Sequence, residues 1–356
     1  MSEIFDFNDL FVFDMANNHQ GCLGHGLQII EEVGAVARKH NIRGVIKFQF
    51  RQLDTFIHPN HTNLIANKHI ERFASTFLKI EDYKKLFKAV KAQGMLTMCT
   101  PFDEESVELI EQMGFDIIKV ASCSAKDWPL LERISSSNLP VIFSTGGLTL
   151  NEIGDLVSFF EHRGGNFAIM HCVSIYPTPD EKCNLNQIDV LKSRYPNTVI
   201  GWSTHEEPDN LFPVTLAIAK GARIFERHVG VSTNEITLNA YSSTPAQINE
   251  WIKAAKKAFS LCGQKERFPD ADELASIETL KRGVFAKTSL KKGQLIKRED
   301  VFFAMPYISG QLDSGEWKEG VKALKNLKSN EPLLLSDLDL PPKASYQVIK
   351  ECIHEV

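Results

Sequence analysis

From Phe11 to Val229 the chain alternates two textures. Short, nearly unbroken apolar runs are separated by longer stretches in which apolar residues recur every three or four positions. The runs are Phe11–Ala16, Gly44–Phe50, Leu96–Thr100, Asp116–Ser122, Pro140–Gly146, Phe167–Cys172, Thr198–Ser203 and Arg223–Val229, eight in all. Runs this short and this apolar suit strands buried on both faces, as in a parallel sheet. The stretches between them, such as LQIIEEVGAVARKH and LNEIGDLVSFFEHRGG, carry the stripe of an amphipathic helix, and several stop at a glycine. A last helix begins at Pro245, with Thr244 as its cap. Eight strands alternating with helices over about 250 residues predict a (β/α)8 TIM barrel. A doubly wound open sheet is the runner-up, but no GxGxxG follows the first run.

The texture changes beyond the barrel. Residues 264–280 are polar and read as a linker, so the barrel domain is drawn at 1–263. Residues 281–342 mix short β-like pieces with turns such as KKG, predicting a small β-rich domain of roughly 60 residues. Residues 343–356 remain as a tail. The stretch Asn60–Lys79 lengthens the connection after the second run, either as a lid over the barrel mouth or as a plain surface insertion.

Composition narrows the class. Hydrophobic residues are 43 % and charged residues 24 %, as in ordinary globular proteins. A net charge of −5 gives no electrostatic reason to expect nucleic acid as a partner. No apolar run is long enough to span a membrane, and the acidic N-terminus lacks a leader pattern. Seven scattered cysteines without a CxxC fit a reduced, cytoplasmic setting.

Polar residues gather at the C-terminal ends of the runs, the face that carries the active site of a barrel. They are Asn18 and His19; Lys47 and Gln49; Thr100; Lys119 and Ser122; Ser144 and Thr145; His171; Ser203 and His205; and Glu226 and His228. Lys47 and Lys119 each stand inside an apolar strand, where a lysine needs a partner. Either they converge on an anion, helped by Thr100, Ser122 and Ser203, or they are tied up in internal salt bridges. His205 and His228 end neighbouring strands and could share a divalent metal, or simply be hydrogen-bonded. Tyr176, stiffened by the prolines of IYPTP, is either an aromatic wall of the pocket or an ordinary turn residue.

Taken together, NNHQG, KFQ, TPFD, IKVAS, STGG, HCVSIYPTP, GWSTH and ERHV resemble, in this order, the sialic acid synthase family. The tail RGVFAKTSLKKGQLIKREDV resembles that family's C-terminal antifreeze-like (SAF) domain. The resemblance implies a barrel joined to an SAF domain in a domain-swapped homodimer. It implies an enzyme that condenses phosphoenolpyruvate with an aldose, N-acetylmannosamine-like or another sugar, to a 3-deoxy-2-ulosonic acid with release of phosphate. By matching position, Lys47, Thr100, Lys119, Ser122 and Ser203 would hold phosphoenolpyruvate. His205 and His228 would hold the metal, manganese first, magnesium or cobalt as alternatives. Tyr176 would line the sugar site, with Gln49 and Ser144 as further substrate contacts. Asp14, Lys47, Lys119 and His205 are the expected catalytic set.

The departures lie on the sugar side. Asp14 stands for the family's glutamate, Ser124 for an acidic residue, Ser174 for an asparagine, and Leu238 beside Asn239 for another acid. Met305-Pro306-Tyr307 replaces a triplet with an arginine. A changed set of hydrogen-bonding groups implies a changed acceptor. Two other readings are carried: a metal-dependent or Schiff-base pyruvate aldolase, and a degenerate sugar-binding protein.

Overall fold

The computed structural model describes residues 4–61, 68–203 and 205–340. The chain divides into two compact units, Met1–Gly263 and Gln264–Val356.

The first unit is a closed parallel barrel of eight strands in sequence order, β1 Leu10–Asp14, β2 Arg43–Phe50, β3 Leu96–Pro101, β4 Ile117–Val120, β5 Val141–Ser144, β6 Phe167–Cys172, β7 Ile200–Ser203 and β8 Ile224–His228. Around it run α1 Leu23–His40, α2 Leu53–Phe56, α3 Lys68–Ser75, α4 Ile80–Ala92, α5 Glu104–Met113, α6 Trp128–Ser135, α7 Leu150–His162, α8 Asn186–Arg194, α9 Phe212–Ala219 and α10 Pro245–Cys262. The expected strands are all present, most of them shorter than the apolar runs, because backbone pairing stops where the chain turns into the next loop. α10 is capped by a reciprocal Thr244–Gln247 pair with Pro245 in its first turn, as the sequence predicts.

Alternation along each strand creates two apolar layers. Outward residues such as Phe13, Phe48, Phe143, Trp202 and Phe225 pack beneath the helices. Inward residues Leu10, Val12, Val45, Met98, Ile117, Ile142, Ala168, Met170 and Ile224 fill the lower barrel, with Phe7 joining them. The interior is therefore a plugged core, and the cavity at the barrel mouth lies above it. Gly201 lets β7 approach β8, since a Cβ there would lie 2.7 Å from that of Ile224.

The second unit opens with α11 Ala271–Leu280, a helix within the stretch 264–280 that the sequence reads as a linker. Asp270 caps this helix by accepting from the Asp272 amide, and Asp272 and Glu273 complement its N-terminus. None of its residues is buried, so no apolar stripe marked it in the sequence. The remainder has its own core of Val284, Ala286, Leu290, Ile296, Val301, Leu312 and Leu333. It holds two small antiparallel sheets: β9 Gly283–Ala286 with β10 Val301–Ala304, and β11 Lys322–Ala323 with β12 Leu338–Asp339. The tail at 343–356 lies outside the described residues.

Candidate active site at the barrel mouth

Continuing the inward alternation one or two steps above the apolar plug gives Asp14, Lys47, Gln49, Thr100, Lys119, Ser144, Cys172, Ser203, Glu226 and His228. All of them line one cavity of about 1010 Å³. Ser122, Tyr176 and His205 join from the loops after β4, β6 and β7, so every predicted site residue meets in this one space. Strand register explains the neighbourhoods: Asp14 pairs with both Lys47 and His228, and Ser203 pairs with both Cys172 and Glu226.

Two lysines dominate the floor, in opposite circumstances. Lys47 Nζ lies 3.0 Å from Asp14 Oδ2 and 2.9 Å from Glu226 Oε1. Burial alone would lower its pKa, but the two carboxylates outweigh it and raise it above the usual lysine value. Of the two readings of this lysine, the structure shows the internal salt bridge. Burial would likewise raise Glu226, yet Lys119 and Lys47 hold its carboxyl down at about 2. Ser203 donates to the same Glu226 oxygen at 3.1 Å, while Oε2 of Glu226 is buried with no partner.

Lys119, on the β4–β5 side, has only neutral partners: the Ser144 hydroxyl, and the Val120 carbonyl at 3.3 Å. Burial lowers its pKa, and the more distant Glu226 offsets this only in part. Around it are groups that can donate. The Thr100 hydroxyl is buried without a partner. Ser122 Oγ accepts from the Gly146 amide at 3.0 Å. A Cβ on Gly146 would come within 2.3 Å of the Ser174 hydroxyl and 2.6 Å of that of Ser122, so these hydroxyls converge where only glycine fits. A buried cation ringed by hydroxyls and lacking a carboxylate is an arrangement that an anion would complete.

The histidine pair sits beside the carboxylate cluster. The His205 and His228 ring centroids are 5.5 Å apart, with the Tyr176 ring 4.2 Å from that of His205. Burial holds His228 at about 4, hence neutral, even with Asp14 Oδ2 3.5 Å from its Nε2. His205 Nδ1 is fixed by the Val173 carbonyl at 2.9 Å, the outer contact typical of metal-binding imidazoles. Burial would lower His205, but its bond to Cys172 raises it. Among the described residues no group of three His, Cys, Asp or Glu side chains is arranged to hold a metal. The donor chemistry fits a two-imidazole site whose other positions water and substrate would fill.

Some strand-end residues belong elsewhere. His171 faces outward, bonded to the Cys183 carbonyl at 3.0 Å and packed on Trp202. Thr145 bonds back to the Met170 carbonyl at 3.3 Å. His19 bonds locally to the Gly21 amide at 3.1 Å. Three site residues escaped the sequence reading of the chemistry: Cys172, the central role of Glu226, and Arg51. Strict alternation from Ala168 and Met170 would have found Cys172 in place of His171. The insertion after β2 does reach the mouth, through Arg72, Phe73, Ser75 and Thr76 of α3 and its exit.

Comparison with known proteins finds relatives of the same fold. A crystal structure of a protein named for spore coat polysaccharide biosynthesis (protein E) from Chromobacterium violaceum superposes with a TM-score of 0.91 at 42 % identity, covering 93 % of this chain and all of that one. The uncharacterised protein MJ1065 of Methanocaldococcus jannaschii is 30 % identical over 291 residues, 81 % of this chain and 82 % of its own. N-acetylneuraminate-9-phosphate synthase of Drosophila melanogaster is 27 % identical over 362 residues, 91 % and 94 % of the two chains. The NeuB family model matches residues 36–267. A barrel whose mouth holds the resembling motifs, matched by that model over most of its length, belongs to the NeuB family.

Proposed function

We propose that the barrel mouth condenses phosphoenolpyruvate with an open-chain aldose. In this reaction C3 of phosphoenolpyruvate bonds to the aldehyde carbon and water adds at C2. The C2–O bond to phosphate then breaks, giving a 3-deoxy-2-ulosonic acid and inorganic phosphate. The observation that carries the reading is Lys119: a buried ammonium among hydroxyls with no carboxylate in ion-pair reach among the described residues.

Lys119, Thr100, Ser122, Ser144 and Ser203 bind the phosphate and carboxylate of phosphoenolpyruvate, and Ser174 and the Gly146 backbone close the cradle. Lys47, kept cationic by Asp14 and Glu226, supplies positive potential beside the developing charge, where a preorganised cation is most effective. Asp14, in contact with both Lys47 and His228, is placed to hold a proton at the acceptor's carbonyl oxygen. Holding the two substrates in line contributes through proximity. His205 and His228 would hold a divalent cation, manganese by the resemblance, which when bound supplies Lewis-acid polarisation and a template. Tyr176 and Tyr241, with rings 5.2 Å apart, wall the acceptor's entrance.

The test is phosphate release from phosphoenolpyruvate with manganese across free and phosphorylated aldoses, with mass spectrometry of the condensed acid. Release with a sugar that is lost in EDTA and in His205→Ala supports the reading. No stabilisation by phosphoenolpyruvate and no release would overturn it. The lowered pKa of Lys119 also suits Schiff-base chemistry on pyruvate, and borohydride trapping of a pyruvate adduct would select that second reading.

A further inference from the structure

Another cation, the half-buried Arg51, stands just past β2 and is not used by the chemistry above. Its guanidinium is clamped between two rings, 4.0 Å from the Phe73 centroid and 3.6 Å from that of Phe102. The clamp fixes the guanidinium plane and shields both faces, leaving only its edge for hydrogen bonds. Along that edge Nη2 donates to Gln49 Oε1 at 3.0 Å, and Nε is buried with no acceptor. No carboxylate lies in ion-pair reach of Arg51 or of Arg72, among the described residues. The contrast with the buried Arg227 is direct, since its Nη2 has Glu206 at 3.0 Å and Nη1 has a carbonyl at 2.9 Å.

Arg51 and Arg72 both line the main cavity. Arg72 is exposed on α3, at the outer part of the cavity lining. Glu71 is the carboxylate nearby on the same helix, and it is exposed. Gln49 stands between Arg51 and the floor, bonded to Arg51 on one side and 3.4 Å from Asp14 on the other. Arg51 is thus one amide removed from the carboxylates that neutralise Lys47. An anion at Arg51 is therefore distinct from one in the hydroxyl cradle of Lys119.

We propose that Arg51 and Arg72 form a subsite for an anionic group on the acceptor sugar, a phosphate monoester or a carboxylate remote from its aldehyde. The proposal rests on the condensation reading and adds the acceptor's chemical class. A guanidinium locked by stacking presents a fork that matches either oxyanion bidentately.

The experiment uses the full chain with manganese and matched sets of one aldose, its terminal phosphate and its terminal uronic acid, in several stereochemical series. First, thermal shift with phosphoenolpyruvate alone judges the condensation reading. Then each sugar is added, and turnover is measured wherever it occurs. The proposal expects a charged member to exceed its neutral counterpart at least tenfold in kcat/KM, or to add stabilisation that the neutral sugar does not. The phosphate and uronate arms identify which anion is used. In Arg51→Met and Arg72→Met the KM or apparent Kd for the charged sugar should rise at least tenfold, with that for phosphoenolpyruvate changed less than twofold. Arg51→Lys, which keeps charge and loses the fork, should fall between. Melting temperatures of the unliganded variants show that they are folded. A neutral aldose preferred in every series, a shift of the Arg51→Met defect onto phosphoenolpyruvate, or stabilisation by phosphoenolpyruvate with none added by any charged sugar would each overturn the subsite. Loss of phosphoenolpyruvate binding in the native chain would instead overturn the condensation reading, and charged-sugar stabilisation alone would then decide the subsite.

Discussion

Two sides of the same barrel floor treat a buried lysine in opposite ways. On the β1–β2–β8 side, Lys47 is neutralised by Asp14 at 3.0 Å and Glu226 at 2.9 Å. Across the floor, Lys119 faces the Ser144 hydroxyl and a carbonyl. Identical residue types therefore do different work. Lys47 is part of a completed charge cluster that shapes the potential. Lys119 is an incomplete one, and under the proposed function its missing partner is the substrate. Burial without compensation costs stability, so its persistence beside a cavity is a mark of function.

Mutation should split the two. Lys47→Met leaves two buried carboxylates without their cation and should cost about 3–5 kcal/mol, read by chemical denaturation. Lys119→Met removes a cation that has no carboxylate in ion-pair reach and acts on Glu226 only from a distance, so it should cost clearly less stability than Lys47→Met while phosphoenolpyruvate-dependent turnover falls at least a hundredfold. Equal destabilisation by both would break the comparison.

Gly146 sharpens the Lys119 side. Gly146→Ala puts a methyl where the Ser122 and Ser174 hydroxyls converge. The expected outcome is a phosphoenolpyruvate KM raised at least tenfold, with a melting temperature lowered by only a few degrees. An unchanged KM would remove these hydroxyls from the cradle.

A smaller effect concerns His19, whose burial lowers its pKa to about 4. Unfolded, it titrates near 6.5, so below that pH the unfolded chain takes up a proton that the folded chain refuses. Its contribution favours folding fully above pH 6.5, is lost as pH falls toward 4, and is flat below. The loss is at most about 1.4 kcal/mol per pH unit. Urea denaturation of the native chain and of His19→Gln across pH 4–7 should show a shallower dependence in the variant. Parallel curves would contradict a neutral buried His19.

Much of this was legible in the sequence, for identifiable reasons. Strands buried on both faces are nearly all apolar, so each lysine, histidine or carboxylate within one stood out. The side on which each residue points was less visible. His171 and Cys172 are adjacent, and only counting by twos from Met170 puts the thiol inside and the imidazole outside. The partnership of Lys47 with Glu226 was hidden because it joins β2 to β8 through barrel closure, 179 positions apart. Arg51 gave no signal because its meaning comes from Phe73 and Phe102, brought in by α3 and the loop after β3. The helix Ala271–Leu280 was missed because it buries nothing.

The most direct test of the account is calorimetric binding of phosphoenolpyruvate to the native chain, Lys119→Met and Lys47→Arg, each first shown to be folded. The account predicts binding to the native chain, a loss of at least a hundredfold in affinity for Lys119→Met, and a loss of less than tenfold for Lys47→Arg, which keeps its charge. Native affinity in Lys119→Met would contradict it, because the uncompensated ammonium would then not be the place where the anion sits.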